Sequence, residues 1–180
     1  MLSPSSQKGV SLIELIIGIA IVGVLMAVGL PSYSAWIQNT KIRTATESML
    51  NGMQLARAEA VRRNANVQLV FGTQTGWTIS VPATSEQIQA RSANEGSSNV
   101  TVTMTPAAAR TITFNSLGRV VLPFNADGSA PIRQVDVSVP TSVLAASAAR
   151  ELRMVIGAGG NLRMCDPDAG VSASDPRKCP

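Results

Sequence analysis

Histidine is absent from the sequence of 180 residues, and cysteine occurs only twice. Without histidine the chain cannot form a Ser-His-Asp or Cys-His nucleophilic site or a histidine-ligated metal centre. Two cysteines are too few for a four-thiolate zinc or iron–sulfur site. Aromatic residues make up only 3%, which argues against a base-stacking platform for single-stranded nucleic acid. The composition excludes most enzyme classes, and we expect no catalytic residues, no metal and no cofactor.

The longest apolar segment lies near the amino terminus. Residues 10–30 read VSLIELIIGIAIVGVLMAVGL and contain one charged side chain, Glu14. A helix over this segment would be about 31 Å long, which matches the hydrocarbon core of a bilayer. Lys8 is the only charged side chain of the polar stretch 1–9, and a positive flank holds that end in the cytoplasm. The segment predicts a single membrane-spanning helix with the rest of the chain on the far side.

Two interpretations of this segment are open, a secretory signal peptide and a signal anchor. A signal peptide has a shorter apolar core and a cleavage site of small residues, which residues 30–33, LPSY, match poorly. An anchor accounts for the length but leaves Glu14 unexplained, because an unpaired carboxylate in the apolar core is costly. Either Glu14 has a partner, or it reaches the membrane interface from near the helix end.

Residues 8–14, KGVSLIE, resemble the class III signal of type IV prepilins and type II secretion pseudopilins. The resemblance implies that prepilin peptidase cuts after Gly9 and methylates the new amino terminus at Val10, where phenylalanine is commoner. It also implies that Glu14 pairs with the amino terminus of a neighbouring subunit. The apolar segment would first anchor the subunit in the inner membrane, with its globular part in the periplasm. It would then pack in the core of a pilus at the cell surface.

Helical spacing of apolar residues continues through residues 31–64, which we expect to form an exposed amphipathic half of the same helix. Pro31 and the nearby Gly29 should kink or loosen the helix, because proline lacks an amide donor and clashes with the preceding turn. Tyr33 and Trp36 follow where an interfacial aromatic belt would lie. The whole helix would be roughly 80 Å long, which suits a filament subunit better than a compact domain.

Residues 65–180 alternate apolar with polar side chains in short segments, as half-buried antiparallel strands do. The candidate strands are 67–71, 77–81, 100–105, 111–114, 119–122, 132–139, 152–156 and 161–165. The serine-rich stretch 82–99 is expected to be a long loop, and 141–149 is either a loop or a short helix. The predicted fold class is α+β, a long pilin-type helix packed on a small antiparallel β-sheet or β-sandwich domain.

Two further strings resemble the FimT/FimU/GspH class of minor pilins and pseudopilins. Residues 54–64, QLARAEAVRRN, match its A-R-x-E-A-x-x-R stretch, and residues 112–119, ITFNSLGR, match its F-x-x-x-G-R segment. The charged string also has a simpler interpretation, a solvated helix face with pairs such as Glu59 with Arg63. The two interpretations are compatible.

Cys165 and Cys179 lie in the part of the chain that is expected to be exported. An oxidising periplasm favours a disulfide, which would close a loop of about 15 residues and contribute about 3 kcal/mol in the chain-entropy model. The spacing does not match a C-x-x-C redox pair. We therefore expect a structural disulfide that holds the carboxy-terminal loop.

Twelve of the fifteen cationic residues are arginine, which suits bidentate phosphate contact, although a GC-rich genome produces the same bias. The FimT branch of the class binds DNA, and the resemblance points to a G-R-x-R motif that corresponds to residues 160–163, GNLR. Asn161 replaces the first arginine, which should weaken binding without abolishing it. Double-stranded DNA is therefore a candidate partner. The candidate DNA-binding residues are Gly160, Arg163, Arg150, Arg153, Arg177 and Lys178.

Taken together, the resemblances imply a minor pilin that contacts other major and minor pilins through its N-terminal helix. Such a subunit is processed by prepilin peptidase and is incorporated into a type IV pilus, or primes its assembly. Capture of DNA for natural transformation would be an additional role. The alternative is an H-type minor pseudopilin of type II secretion without a DNA role, which has the same amino-terminal features.

Overall fold

A computed structural model describes residues 9–93, 95 and 98–180, apart from the side chains of Val28 and Pro31. Lys8 and the rest of the expected leader before Gly9 lie outside the described residues. The chain divides into two units, residues 1–36 and residues 37–180. In the described residues one helix is followed by eight strands: α1 (Leu12–Arg63), β1 (Val67–Phe71), β2 (Trp77–Val81), β3 (Glu86–Arg91), β4 (Thr101–Thr105), β5 (Thr111–Phe114), β6 (Gln134–Ser138), β7 (Leu152–Ile156) and β8 (Leu162–Cys165).

The first unit contains the apolar part of α1. This helix includes a stretch that is long and apolar enough to cross a membrane. Helical structure continues through Gly29 and Pro31, so the loosening expected there does not end the helix. Tyr33 and Trp36 lie one turn apart and their rings stack with centroids 6.0 Å apart.

The second unit begins with the amphipathic part of α1. Apolar side chains spaced three or four apart form a buried stripe: Ile42, Ala45, Met49, Met53, Ala56 and Ala60. The helix ends at Arg63, as the sequence predicts. Asn64 follows with a left-handed φ of 50°, and the amide of Ala65 donates to the carbonyl of Ala60. This arrangement satisfies a carbonyl that the end of the helix would otherwise leave unpaired.

The first sheet has the order β3-β2-β1-β5, and each strand is antiparallel to its neighbours. Leu69 at its centre pairs with Ile79 and Ile112, and all three are fully buried. This face packs on α1, since a Cβ at Gly52 would lie 2.9 Å from the ring of Trp77 and 3.2 Å from Leu69. Glycine at position 52 therefore allows the sheet to approach the helix.

The second sheet has the order β4-β6-β7-β8, again antiparallel throughout. Its buried face includes Met104, Val135 and Met154, which lie beside one another on adjacent strands. The opposite face carries polar and charged side chains, among them Asp136 and Arg153. The domain thus contains two four-stranded sheets, and the predicted α+β class with antiparallel β-structure is confirmed.

Most of the predicted strands are present, but two expectations are wrong. The stretch predicted as a loop over 82–99 contains strand β3, and 119–122 is not a strand but forms a single bridge from Val120 to Phe114. β3 lies at the edge of its sheet and is largely exposed, so its sequence EQIQAR has no apolar face. The segment 119–122 is followed by Pro123, which has no amide hydrogen with which to continue a ladder.

Smaller differences concern strand ends and turns. Strand β6 is shorter than the predicted 132–139, although the amide of Arg133 just before it still donates to the carbonyl of Thr105 in β4. The ambiguous stretch 141–149 forms turns, with Leu144 buried beneath them.

Candidate functional site

The amino-terminal segment presents its apolar side chains to the outside. Val10 precedes α1, and Glu14 lies in the first turn of the helix. Between positions 10 and 30, the large apolar side chains that the structure describes are all well exposed. Their exposed fractions run from 47% at Ile16 to 79% at Leu12. A helix that is apolar on all sides requires a covering of lipid or of other protein chains. Glu14 is the single charged side chain within this surface.

Most residues of the string ARAEAVRR, residues 56–63 at the end of α1, are buried or form contacts within the chain. Ala56 and Ala60 are fully buried. On the outer side Glu59 accepts hydrogen bonds from Arg62 at 2.6 Å and from Arg63 at 2.8 Å, so the predicted pair of Glu59 with Arg63 is confirmed. Arg63 also donates to both carboxylate oxygens of Glu86 in β3, at 2.9 Å each. The string therefore ties the end of the helix to the edge of the first sheet.

These ion pairs change the protonation of Glu59. The hydrogen bonds from Arg62 and then Arg63 lower the pKa of Glu59 from 4.5 to about 2. The same contacts raise the pKa of both arginines. The side chain of Glu59 is only 14% exposed, so its charge is less screened by water than that of a fully exposed ion pair.

Three of the family strings, residues 54–64, 112–119 and 160–163, meet at one point, which we call the motif junction: Arg57, Gly118 and Gly160. The Nε of Arg57 donates to the carbonyl of Gly118 at 3.0 Å. A Cβ at position 160 would lie 1.9 Å from that same carbonyl oxygen. Both glycines have left-handed φ angles, 70° at Gly118 and 80° at Gly160. Glycine is required at position 160 by backbone conformation and by close approach together.

Hydrogen bonds within the loops hold the motif junction in place. The side-chain oxygen of Asn115 accepts from the amides of Leu117 and Arg119, at 3.0 Å each, which fixes the turn that presents Gly118. The amide of Val120 donates to the carbonyl of Ala158 at 3.1 Å and so joins this turn to the loop between β7 and β8.

The expected disulfide is present. Cys165 at the end of β8 bonds to Cys179, with Cα atoms 5.0 Å apart. The amide of Asp166 donates to Arg177 and that of Cys179 donates back to Asp166, so the last residues lie beside the end of β8.

The polar face of the second sheet brings several of the candidate DNA-binding residues together. Arg153 in β7 and Arg163 in β8 are on the same face, because Arg153 pairs with Cys165 and Arg163 pairs with Val155. Arg150 is exposed just before β7. The tail that the disulfide holds beside β8 carries Arg177 and Lys178.

Most of these cations already have partners within the chain. Arg153 donates to Asp136 at 2.5 Å, and Arg177 pairs with Asp175 at 2.7 Å and lowers the pKa of that carboxyl to about 2. Lys178 donates to the carbonyl of Val171 at 2.7 Å. This part of the surface is therefore less positive than its arginine content indicates.

Arg163 and Gly160, the two matches to the G-R-x-R motif, also have structural contacts. The Nη2 of Arg163 donates to the carbonyls of Pro176 and Lys178, at 2.8 and 3.0 Å. The backbone conformation of Gly160 accounts for its glycine without any ligand. Asn161 places its side-chain oxygen against Gly157, where a Cβ would lie only 2.1 Å away. The string GNLR thus ends the loop between β7 and β8 and begins β8, from which Arg163 holds the tail.

Sequence reasoning did not identify Asp136 or Arg57 as members of these sites. Asp136 could have been found from the alternation of β6, which places it on the polar face, but its pairing with Arg153 depends on strand register. Arg57 lies within a recognised string, yet its acceptor is a backbone carbonyl 61 positions away. In the described part of the chain no three Cys, Asp or Glu side chains cluster as a metal site requires.

Comparison with known proteins identifies the family. Residues 45–160 match the family model for type II transport protein GspH, and residues 4–30 match the prokaryotic N-terminal methylation motif. The fold is similar to that of the type IV minor pilin FimU of Pseudomonas aeruginosa strain PAO1, with 17% identity over 72% of this chain and 91% of that chain and a TM-score of 0.52. A second crystal form of FimU aligns at 18% identity over 68% and 90% of the two chains, with a TM-score of 0.47.

An apolar N-terminal helix that continues into a domain of antiparallel sheets defines the class of pilin-like subunits. The GspH model covers more than half of the sequence. The chain belongs to the GspH family, within the FimT/FimU/GspH class of type IV minor pilins and pseudopilins.

The motif junction predicts that Gly160→Ala destabilises the protein. The added Cβ would strain a left-handed residue by roughly 1–2 kcal/mol and collide with the carbonyl of Gly118, so we expect a total loss of about 2–4 kcal/mol in the free energy of unfolding. Chemical denaturation of the full chain in detergent micelles measures this. Gly159→Ala is the control, since its φ is not left-handed and its nearest contact would be 3.7 Å. Equal stability of the two variants would contradict the role of the junction.

The ion pairs of Glu59 predict a pH-dependent contribution to stability. Because folding lowers this pKa from 4.5 to about 2, the contribution is fully present above pH 4.5 and is lost as the pH falls towards 2. Glu59→Gln should therefore be less stable than wild type at pH 7, and the difference should shrink between about pH 5 and pH 2. Glu47→Gln, which removes the more exposed pair with Arg43, should change stability by about 1 kcal/mol or less. A Glu59→Gln difference that is constant with pH would contradict the assignment.

Proposed function

We propose that the chain is a minor pilin with a structural, non-catalytic role, incorporated into a type IV pilus or priming its assembly. The observation that carries the proposal is the apolar surface of α1 near the amino terminus, exposed on all sides and interrupted by one carboxylate. In the membrane, lipid would cover this surface before assembly, and in a filament the helices of neighbouring pilins would cover it.

Within this proposal, prepilin peptidase removes residues 1–9 after Gly9 and methylates the amino group of Val10. Glu14 then pairs with the amino terminus of a neighbouring subunit. In an apolar environment the carboxylate of Glu14 needs a counter-charge, and so does the charged amino terminus. The ion pair between them would satisfy both. Before assembly the segment anchors the subunit in the inner membrane, with the globular unit in the periplasm.

Processing and assembly are expected to depend on different residues. In a pilus-producing host, Gly9→Leu should leave the leader attached, because a bulky side chain stands at the scissile bond, whereas Val10→Phe should be cleaved and methylated. Glu14→Gln should be processed normally but be at least about tenfold depleted in sheared pili, since the neighbouring amino terminus loses its counter-charge. Mass spectrometry of the mature amino terminus and immunoblots of the sheared fraction measure the two steps.

Ser11→Ala, a neighbouring polar substitution, is the control and should assemble as wild type. Normal assembly of Glu14→Gln would contradict the pairing. Absence of the wild-type chain from sheared pili, together with loss of type II secretion when its gene is deleted, would instead support the alternative, an H-type pseudopilin.

A second candidate function is the binding of double-stranded DNA on the polar face of the second sheet. The favouring observation is that Arg153 and Arg163 lie on one face with exposed Arg150 before it. The described hydrogen bonds of Arg163 use only Nη2, which leaves Nε and Nη1 for a phosphate. We infer weak, salt-sensitive binding, because Asp136 and Asp175 offset part of the positive charge.

Titration of the full chain in zwitterionic micelles with double-stranded DNA at several salt concentrations tests this. We expect micromolar affinity that falls with salt, and Arg163→Ala should weaken binding and reduce the salt dependence by about one released cation. Arg43→Ala removes the same charge from the helix and should leave the affinity unchanged. Absence of binding at low salt, or equal losses in the two variants, would leave the filament role alone.

A further inference from the structure

A groove runs beside the motif junction, along the segment that follows β5. It consists of two adjoining depressions of about 450 and 160 Å³, which share Val120, Leu122 and Ala158 in their linings. Ile132 and Ile156 add buried apolar surface at the smaller depression. We call this surface the Val120 groove. Its volume is sufficient for several side chains of another molecule.

Two large apolar side chains in the lining of the groove point away from the core. Leu117 is 73% exposed and Leu122 is 49% exposed. Both lie in the segment 115–122, whose backbone is engaged in hydrogen bonds. An exposed leucine alone needs no explanation, but two that line the same depression offer apolar surface of the kind that binds protein chains.

The charged side chains that line the groove are all positive. Arg119 lies in the lining of the larger depression and Arg133 in that of the smaller, and both are exposed. Neither lining contains Asp or Glu. Within the described residues neither arginine side chain forms an ion pair, so both guanidinium groups keep their donors for a ligand.

The groove is preformed. Asn115 fixes the turn on one side, the bond from Val120 to Ala158 joins the two walls, and the contact of Gly118 with Gly160 holds them together. A ligand would therefore bind without ordering the loops first, which preserves affinity.

We propose that the Val120 groove binds a segment of another protein chain in which a large apolar side chain is flanked by carboxylates. The apolar side chain packs between Leu117 and Leu122, and the carboxylates pair with Arg119 and Arg133. Charge complementarity selects an acidic partner, and the two arginines offer bidentate geometry. Single-stranded nucleic acid fits less well, because neither lining contains an aromatic ring on which a base could stack. This binding does not depend on the filament role.

The test is a selection of random short peptides on the full chain in detergent micelles, with the double variant Arg119→Ser/Arg133→Ser as the counter-target. We expect enriched peptides with aspartate or glutamate beside a large apolar residue. Synthetic copies should bind the double variant and Leu122→Ser at least about tenfold more weakly than wild type, which corresponds to about 1.4 kcal/mol. Thermal melts should show that both variants are folded.

Arg110→Ser is the matched control, since Arg110 is exposed, forms no ion pair with the described residues and lies outside this groove. It should bind the selected peptides as wild type does. The proposal is overturned if the enriched peptides are not acidic, if no peptide distinguishes wild type from the double variant, or if Arg110→Ser weakens binding equally. Loss of double-stranded DNA binding in the double variant, with acidic peptides inactive, would assign the surface to nucleic acid instead.

Discussion

The approach of Gly160 to the backbone of Gly118 is the contact on which the arrangement of the β-domain depends. Gly118 follows β5 in the first sheet, whereas Gly160 lies between β7 and β8 in the second. Arg57 of α1 binds the Gly118 carbonyl from the helix side. One backbone contact thus brings together the helix and both sheets, at a distance that excludes a Cβ. Because protein interiors are close-packed, a shift at this point would have to be absorbed by all three elements.

The parts of the fold that the sequence predicts well are those with a strong apolar pattern. The stripe from Ile42 to Ala60 determines the exposed half of α1, and alternation determines β1, β2, β5 and β7. Strand β3 was missed because edge strands exposed on both faces need no apolar alternation. The segment 119–122, which forms only a single bridge at Val120, could not be distinguished from a strand, since a stretch of four residues with this composition is equally compatible with both. The number of sheets could not be predicted, because it depends on which distant segments pair with one another. The apolar pattern within one segment carries no information about its pairing partner.

The candidate site divides in a similar way. Cys165 and Cys179 could be paired from sequence, because only two cysteines are present and the exported environment favours oxidation. The arginines could not be assigned, because the availability of a guanidinium group depends on neighbours brought in by register. Asp136 reaches Arg153 only through the pairing of β6 with β7. A match to a family string is not by itself evidence of a ligand contact, since backbone conformation and close approach already account for the glycine at position 160.

In these proposals, assembly and recognition by this chain would be carried by separate residues. Filament formation would use the apolar surface around Glu14, and this part of the helix, residues 10–30, contains no arginine. Recognition of DNA or of an acidic protein segment would use charged groups of the second unit, on two different surfaces. Arg153 and Arg177 pair with carboxylates of the same chain, whereas Arg150 and Arg163 on the same surface, like Arg119 and Arg133 at the groove, form no ion pair among the described residues. An arginine without an internal counter-charge loses less on binding an external anion, because no existing ion pair has to be broken. The Val120 groove combines two such arginines with the exposed side chains of Leu117 and Leu122, which is why we propose it as the surface for an acidic protein partner.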